Sequence, residues 1–345
     1  MIEFQRLITD WYRLNARDLP WRDTKNPYYI WLSEIILQQT RVDQGKAYYF
    51  KFFNKYPTVF DLANASEQEV LNLWQGLGYY SRARNLHAAA KMIVNDFKGV
   101  FPNTHIDLLK LKGVGEYSAA AIASFAYDLP FAVLDGNVFR VLSRVFDIDL
   151  PIDSNEGKKF FKKLSQELLA EDNAAQYNQA IMEFGAMQCV PVNPKCDSCV
   201  LIDKCLSFAN KSVGNRPVKS KKVKVTDRFF HFLVFENVDY FYIEKRESKD
   251  IWQNMFQFPL IEAPNKEMDI SLILMERFKV SPNKIYQFKK HILSHQHIYP
   301  FFYMLNIEDE SFLSDFIKVA KRDFQDYPIP RVIDRFLEEC YTSKD

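Results

Sequence analysis

The sequence predicts a mainly α-helical domain followed by a smaller α+β domain. Three observations carry this. From residue 1 to about 215, apolar residues recur at helical spacing between Pro and Gly breaks. From 228 to 345 the chain turns to runs rich in aromatic and β-branched residues, RFFHFLVFE, DYFYIEKR and HIYPFFYML, which suit strands. Between them, residues 216–227 are poor in apolar side chains and carry Arg216, Lys219, Lys221, Lys222 and Lys224. With 345 residues, 48% of them apolar, the chain can bury the cores of two domains.

In chain order, segments 33–49 and 67–73 read as helices, with breaks at Pro27, Pro57, Gly76, Gly99 and Pro102. Thr104 or Asp107 is suited to start a further helix. Next comes the stretch 111–140, LKGVGEYSAAAIASFAYDLPFAVLDGNVFR. Gly113 and Gly115 around Val114 predict a tight turn with bare backbone N–H groups, opening a helix at 117–127 whose N-terminus favours an anion. Lys110 and Lys112 add positive charge there. Asp135 falls in a second Gly-containing turn, expected at the far end of that helix, ~16 Å away at the usual rise. An ordinary helix hairpin with an Asp-Gly turn would use the same residues. The basic stretch 216–227 reads as an exposed linker that could also lie along a polyanion. Beyond it, 268–278 and 331–341 suit helices packed on the strands.

A net charge of +1 supplies no general attraction to a polyanion, so a nucleic-acid partner would need a local patch. No apolar run is long enough to cross a bilayer, and the charged N-terminus lacks the core of a signal peptide. A soluble cytoplasmic protein is expected, nucleoid-associated if bacterial, with no membrane partner. Four of the five cysteines crowd into Cys189, Cys196, Cys199 and Cys205, spaced Cys-x6-Cys-x2-Cys-x5-Cys. Thiols so close in sequence point to zinc or an iron–sulfur cube. Cys340 stands apart as a buried or idle thiol.

The Gly-Val-Gly hairpin, Asp135 and the cysteine spacing together resemble the helix-hairpin-helix DNA glycosylases that carry a [4Fe-4S] cluster. Within them, LPWR at 19–22, WLSEIILQQTRV at 31–42, LWQGLGYYSRARNL at 73–86 and LDGNVFRVLSR at 134–144 are similar to adenine DNA glycosylases of the MutY type. The resemblance implies a helical catalytic domain over 1–215, with a six-helix lobe at about 21–125 and an iron–sulfur lobe from 1–20 and 126–215. It implies one [4Fe-4S] cluster held by the four cysteines, shaping a basic loop near Lys195 and Lys204. The expected partner is double-stranded DNA bearing an adenine mispair, bound by a monomer; no protein partner is legible.

Roles follow residue by residue from that resemblance. Glu34 would be the acid that protonates adenine N7, and a buried carboxyl with a raised pKa is what such an acid needs. Asp135 would stay ionised beside the sugar, oriented by Asn137, because glycoside cleavage uses two carboxyl groups in opposite protonation states. Tyr117 stands where strand-cutting relatives place a lysine that forms a Schiff base, so a monofunctional enzyme is implied. Arg17, Trp21, Arg22 and Gln179 align with the adenine pocket. Gln39, Thr40, Leu77 and Tyr79 match residues that wedge into the duplex or touch the opposite base, and Lys112, Gly113, Val114 and Gly115 form the backbone grip.

The domain at 228–345 resembles the Nudix-like domain by which this family recognises 8-oxoguanine, without a visible Nudix catalytic box. The loop HILSHQH at 291–297 supplies Leu293, Ser294 and His295 as recognition residues, Leu293 standing where many relatives have Phe. His291 and His297 read as plain loop histidines. Two other functions fit part of the pattern: a glycosylase for mismatched thymine, and a non-catalytic DNA-binding iron–sulfur protein.

Overall fold

The computed structural model describes residues 2–220, 224–307 and 309–341. Lys221 and Lys222 of the basic stretch lie outside the described residues. The chain divides into two compact units, Met1–Asn64 with Asn85–Lys222, and Ala65–Arg84 with Val223–Asp345.

The helices are α1 (Ile2–Asn15), α2 (Pro27–Leu37), α3 (Val42–Lys55), α4 (Val59–Asn64), α5 (Glu67–Leu73), α6 (Ser81–Asp96), α7 (His105–Leu108), α8 (Glu116–Tyr127), α9 (Gly136–Val145), α10 (Asn155–Glu167), α11 (Ala174–Met187), α12 (Leu206–Ala209), α13 (Ile270–Phe278) and α14 (Arg331–Tyr341). In the first unit α1 buries Phe4, Ile8 and Trp11, one helical stripe, and Trp11 meets Phe184 of α11 edge-on at 5.0 Å. Asn26 caps α2, with Pro27 at the first helical position. Because α2 is apolar all round, it is buried from Ile30 to Ile36. It packs against α8, where Ala119, Ala120, Ala121 and Ala123 leave room for close approach.

The run 33–49 is two helices rather than one. The chain turns at Gln38–Arg41, where Gln39 takes φ 54° and Thr40 N–H donates to Leu37 O at 3.1 Å. No Pro or Gly marks this corner. Leu37 packs close over Gly45 there, its Cδ2 2.6 Å from where a Cβ would lie. Of the two hairpin glycines only Gly113 needs its left-handed φ of 77°, and a Cβ on it would meet Asn85 at 2.8 Å. Gly115 caps α8 with φ −95°, which any residue can adopt.

The position of Asp135 also differs from the expectation. The chain does not leave it at the far end of α8. Asp128 ends α8 at φ 56° and accepts from Ala175 N–H, and the following loop is pinned by Asn178 on α11. The Asn178 amide donates to Ser124 Oγ and Phe131 O, both at 2.8 Å, and accepts from Val133 N–H at 3.1 Å. This loop carries Asp135 back to the start of α8, where it becomes the N-cap of α9.

The linker reading is corrected in its first half. Arg216 pairs with Asp147 at 3.0 Å, Val218 O accepts from Ile152 N–H, and Ser220 bonds to Asp153. These residues are therefore fixed on the first unit.

The second unit holds a mixed sheet. Its strands are β1 (Thr226–Glu236), β2 (Tyr240–Lys245), β3 (Phe256–Gln257), β4 (Leu260–Ala263), β5 (Lys284–Gln287), β6 (His291–Ile292), β7 (Gln296–Asn306) and β8 (Ile317–Ala320), in the main order β3-β2-β1-β7-β5. β1 and β7 run parallel from Thr226 opposite Gln296 to Glu236 opposite Asn306. Alternation sends Leu233, Phe235 and Leu305 to the face covered by α13. Phe232 and Phe302 face the other way, where Phe302 stacks on Phe336 of α14 at 4.0 Å. The segment HILSHQH is a hairpin rather than a plain loop: β6 turns through Leu293–His295 into β7, closed by Leu293 N–H to Gln296 O at 2.8 Å. Residues 65–84, expected within the helical lobe, group with this unit. Gln68 and Asn72 donate to Asp326 O and Gln325 O at 3.0 Å, and Arg84 to Gln253 O at 2.9 Å.

Asn178→Ala would strand two acceptors and one N–H in a site only 1% exposed. A loss of about 3 kcal/mol or more is expected, at roughly 1–3 kcal/mol for each of the three unsatisfied buried groups, read as a lower urea midpoint for the helical circular-dichroism signal.

Candidate active site

A cavity of about 840 Å³ opens in the first unit between α2, α8, the N-terminus of α9 and α11. Glu34, Asp135, Tyr117 and Asn137 line it, as do Arg17, Trp21, Arg22 and Gln179. Gln39, Thr40, Gly113 and Gly115 reach its rim. Lys112 is exposed on the hairpin and Val114 is buried beneath it.

Glu34 sits in the middle of α2, not at a helix cap, and is only 7% exposed. Burial disfavours its charge, and the nearby Asp135 adds to this. A hydrogen bond from Tyr117 and the Arg22 charge act in the opposite sense, and the balance lifts the carboxyl to about 7. The Tyr117 hydroxyl is itself raised well above the usual phenol range by burial and by the two carboxylates, so it remains a donor.

Asp135 is built differently. Its Oδ1 accepts from Asn137 N–H at 2.9 Å and Val138 N–H at 2.8 Å, and its Oδ2 from Asn137 Nδ2 at 2.7 Å. Burial raises its pKa, while these three donors and the Arg140 charge oppose that rise. Burial prevails at both carboxyls, but at Asp135 three donors at a helix N-terminus favour the charged form.

The cavity's arginines are anchored by a residue not singled out from the sequence. Glu183 on α11, 1% exposed, receives Arg17 Nε and Nη2 at 2.7 Å in a fork, and Arg22 Nη2 at 2.8 Å. Burial raises this carboxyl, but the two arginines more than compensate and hold it at about 2. Gln179, one turn earlier on α11, accepts from Tyr12 OH at 2.8 Å. Glu183 lies in MEFGAM, where a charged residue amid apolar ones was the available signal.

The four cysteines of the loop line one small apolar cavity beside α9. Arg144 Nη1 lies 3.4 Å from Cys189 Sγ and Leu201 N–H 3.4 Å from Cys199 Sγ. Among the described residues no three His, Cys, Asp or Glu side chains are set to hold a single metal ion. Lys204 is paired with Glu3 at 2.8 Å.

Residues 32–169 match the HhH-GPD superfamily of base excision DNA repair proteins, and residues 231–339 match the NUDIX domain. An adenine DNA glycosylase of Buchnera aphidicola (subsp. Acyrthosiphon pisum) is 31% identical over 345 residues, covering 97% of each chain. Another, from the subspecies Baizongia pistaciae, is 36% identical over 298 residues, covering 86% of this chain and 84% of the relative. The chain belongs to the adenine DNA glycosylase family. The human family member is 41% identical over 211 residues, 59% of this chain and 39% of its own. Among solved structures, a thermostable thymine-DNA glycosylase superposes with TM-score 0.56 at 31% identity, covering 60% of this chain and 95% of its own. A trapped endonuclease III–DNA complex, 21% identical with TM-score 0.54, shares the fold over 61% of this chain and 96% of its own.

Of the residues expected to wedge into the duplex or touch the opposite base, Gln39 and Thr40 lie in the first unit and Leu77 and Tyr79 in the second. Leu77 is buried, whereas Tyr79 is exposed, takes φ 47° and shares a hydrogen bond with Ser294 Oγ. Ser294 and His295 are exposed at the β6–β7 turn, with Leu293 half-buried beside them. His297 is held by Asp227 at 3.0 Å and His291 lies against Trp252, so both have structural partners.

Glu34 carries a sign for stability. Its pKa is raised in the folded chain, so its contribution is fully present below the unfolded value near 4.5 and is lost as pH rises through about 7. Glu34→Gln should therefore gain in melting temperature relative to the native chain between pH 6 and 8.5. Parallel thermal melts across that range check this, and a constant difference would place Glu34 in a solvated site.

Proposed function

We propose that this chain is a monofunctional glycosylase that removes adenine from DNA where it is mispaired with 8-oxoguanine or guanine. The pairing of a buried, protonated Glu34 with an anionic Asp135 in one cavity carries the reading. Glu34 gives its proton to N7 of an extruded adenine, the N-glycosidic bond breaks with its electron pair passing to the base, and positive charge develops at C1′. Asp135, held by Asn137 and Val138, faces that charge until water adds to C1′ and releases a proton. Tyr117 lines the cavity with Glu34 and has no amine with which to form a Schiff base, so the strand is left uncut.

The hairpin at Lys112–Gly115 would hold the backbone through N–H groups at the α8 terminus, with Gln39, Thr40, Leu77 and Tyr79 filling the stack. The contact of Tyr79 with Ser294 supports one surface, with Leu293 and His295, for reading the opposite base. Convergence of Cys189, Cys196, Cys199 and Cys205 on one cavity supports a [4Fe-4S] cluster, whose thiolates spread wider than those around a single ion. Bound there, it would cross-link the loop against α9. Double-stranded DNA is the partner, and we expect a monomer to suffice.

Similarity to a thymine-DNA glycosylase keeps mismatched thymine as a second reading. That similarity spans 60% of the chain, whereas an adenine-specific relative aligns through the second unit as well. Single-turnover assays on adenine opposite 8-oxoguanine, adenine opposite guanine and thymine opposite guanine separate the two. Glu34→Gln should lose about 10²–10⁴-fold on the adenine substrates, the usual worth of a positioned acid. In the same panel, Ser294→Ala with His295→Ala should erase the preference for 8-oxoguanine over guanine while adenine release continues. Retained preference would remove the β6–β7 turn from recognition.

A further inference from the structure

Four hydrogen bonds converge on Glu183. Arg17 contributes its backbone N–H at 3.0 Å as well as Nε and Nη2, and Arg22 contributes Nη2. Arg22 Nη1 also donates to Arg17 O at 2.8 Å, and its guanidinium lies 5.5 Å from the Tyr12 ring centroid. Two cations and one anion thus share the wall of the cavity that Glu34 faces. Without Glu183 the wall would hold two positive charges.

We propose that Glu183 is a positioning residue with two effects: it aims Arg17 and Arg22 at the extruded base, and it cancels one of their charges so that Glu34 keeps its proton. The groups facing Glu34 are Tyr117 from α8, Asp135 at the N-terminus of α9 and Arg22 from the segment after α1. Arg41, Glu116, Arg17 and Glu183 line the same cavity. Of these, Arg22 is the cation that acts directly on Glu34, favouring its ionised form. Each uncancelled charge on the arginine pair pushes the acid further toward losing the proton it must deliver, because charges beside a carboxyl as buried as Glu34 are less screened than in bulk water. The arginines and Glu183 also depend on one another for desolvation, since a buried carboxylate stripped of both partners could not remain charged.

The inference rests on the reading of Glu34 as the acid, and the test separates the two. Single-turnover release of adenine opposite 8-oxoguanine is measured from pH 5.5 to 9 with enzyme in saturating excess. The native enzyme should lose rate on the basic side as Glu34 ionises. Glu183→Gln, with two uncancelled arginines, should move that limb to lower pH by roughly half to one unit. Arg17→Met, which leaves the Arg22–Glu183 pair neutral, should move it upward, and the double variant should return it to the native position. If Glu183→Gln fails to fold, Arg17→Met against the double variant still isolates the Glu183 charge. Midpoints that stay fixed while rate falls by one factor at every pH would reduce Glu183 to a structural anchor and overturn the proposal. A native profile without a basic limb, or a Glu34→Gln variant at full rate, would instead overturn the acid assignment.

Discussion

Two buried carboxyl groups line one cavity, and burial disfavours the charge on each. The chain resolves this by unequal hydrogen bonding. Glu34 projects from the middle of a buried helix, where every backbone N–H is already committed to the helix, and a single hydroxyl, that of Tyr117, is set against it. Asp135 projects from a helix N-terminus, where backbone N–H groups are free to be accepted. Mid-helix placement leaves Glu34 largely to burial, while the cap gives Asp135 donors that oppose it. On the proposed reading, base removal uses that difference.

Keeping the two ends together falls to buried polar residues. Asn178 pins the returning loop, and Arg140 joins Gly136 O, Asn137 Oδ1, Gly185 O and Cys189 O around the base of α9. Gly185 allows this packing, since a Cβ would lie 2.9 Å from Asn137 O. Arg144, one turn further along α9, donates to Val190 O and Pro191 O. The cysteine loop is thus tied to the helix whose first residues hold Asp135. Guanidinium groups suit the task because one planar fork can satisfy several carbonyls that the turns leave unpaired.

Much of the fold was legible. The bounds of α5 and α14 coincide with the expected segments, and Thr104 was an available cap. What escaped reading was non-local. The corner at Gln38–Arg41 has no Pro or Gly; Gln39 turns it at φ 54°, with Leu37 packed close over Gly45. The return of Asp135 to α8 depends on Asn178, forty-odd residues away, so counting helical rise placed it at the wrong end. The fixed conformation of 216–220 likewise depends on Asp147 and Asp153, which no local pattern links to a basic run. Among site residues, resemblance supplied Glu34, Tyr117 and Asp135. Glu183 went unnoticed because its importance arises only when two arginines from another segment fold onto it.

The grouping of residues 65–84 with the second unit bears on how a mispair is sensed. The chain leaves the first unit after Asn64 and returns at Asn85, carrying Leu77 and Tyr79 with it. Glu67 accepts from Asn254 at 2.5 Å and Gln75 from Ile329 N–H at 3.3 Å, so this excursion is bonded into the β-containing unit along its length. Tyr79, at a φ that L-residues seldom adopt, ends beside Ser294. Such strain persists only where surroundings hold it, and Arg82, packed over the Tyr79 and Trp74 rings and donating to Gly78 O, provides part of that hold. On the proposed reading, the wedge residue Tyr79 and the reader residue Ser294 are thus held together within one unit.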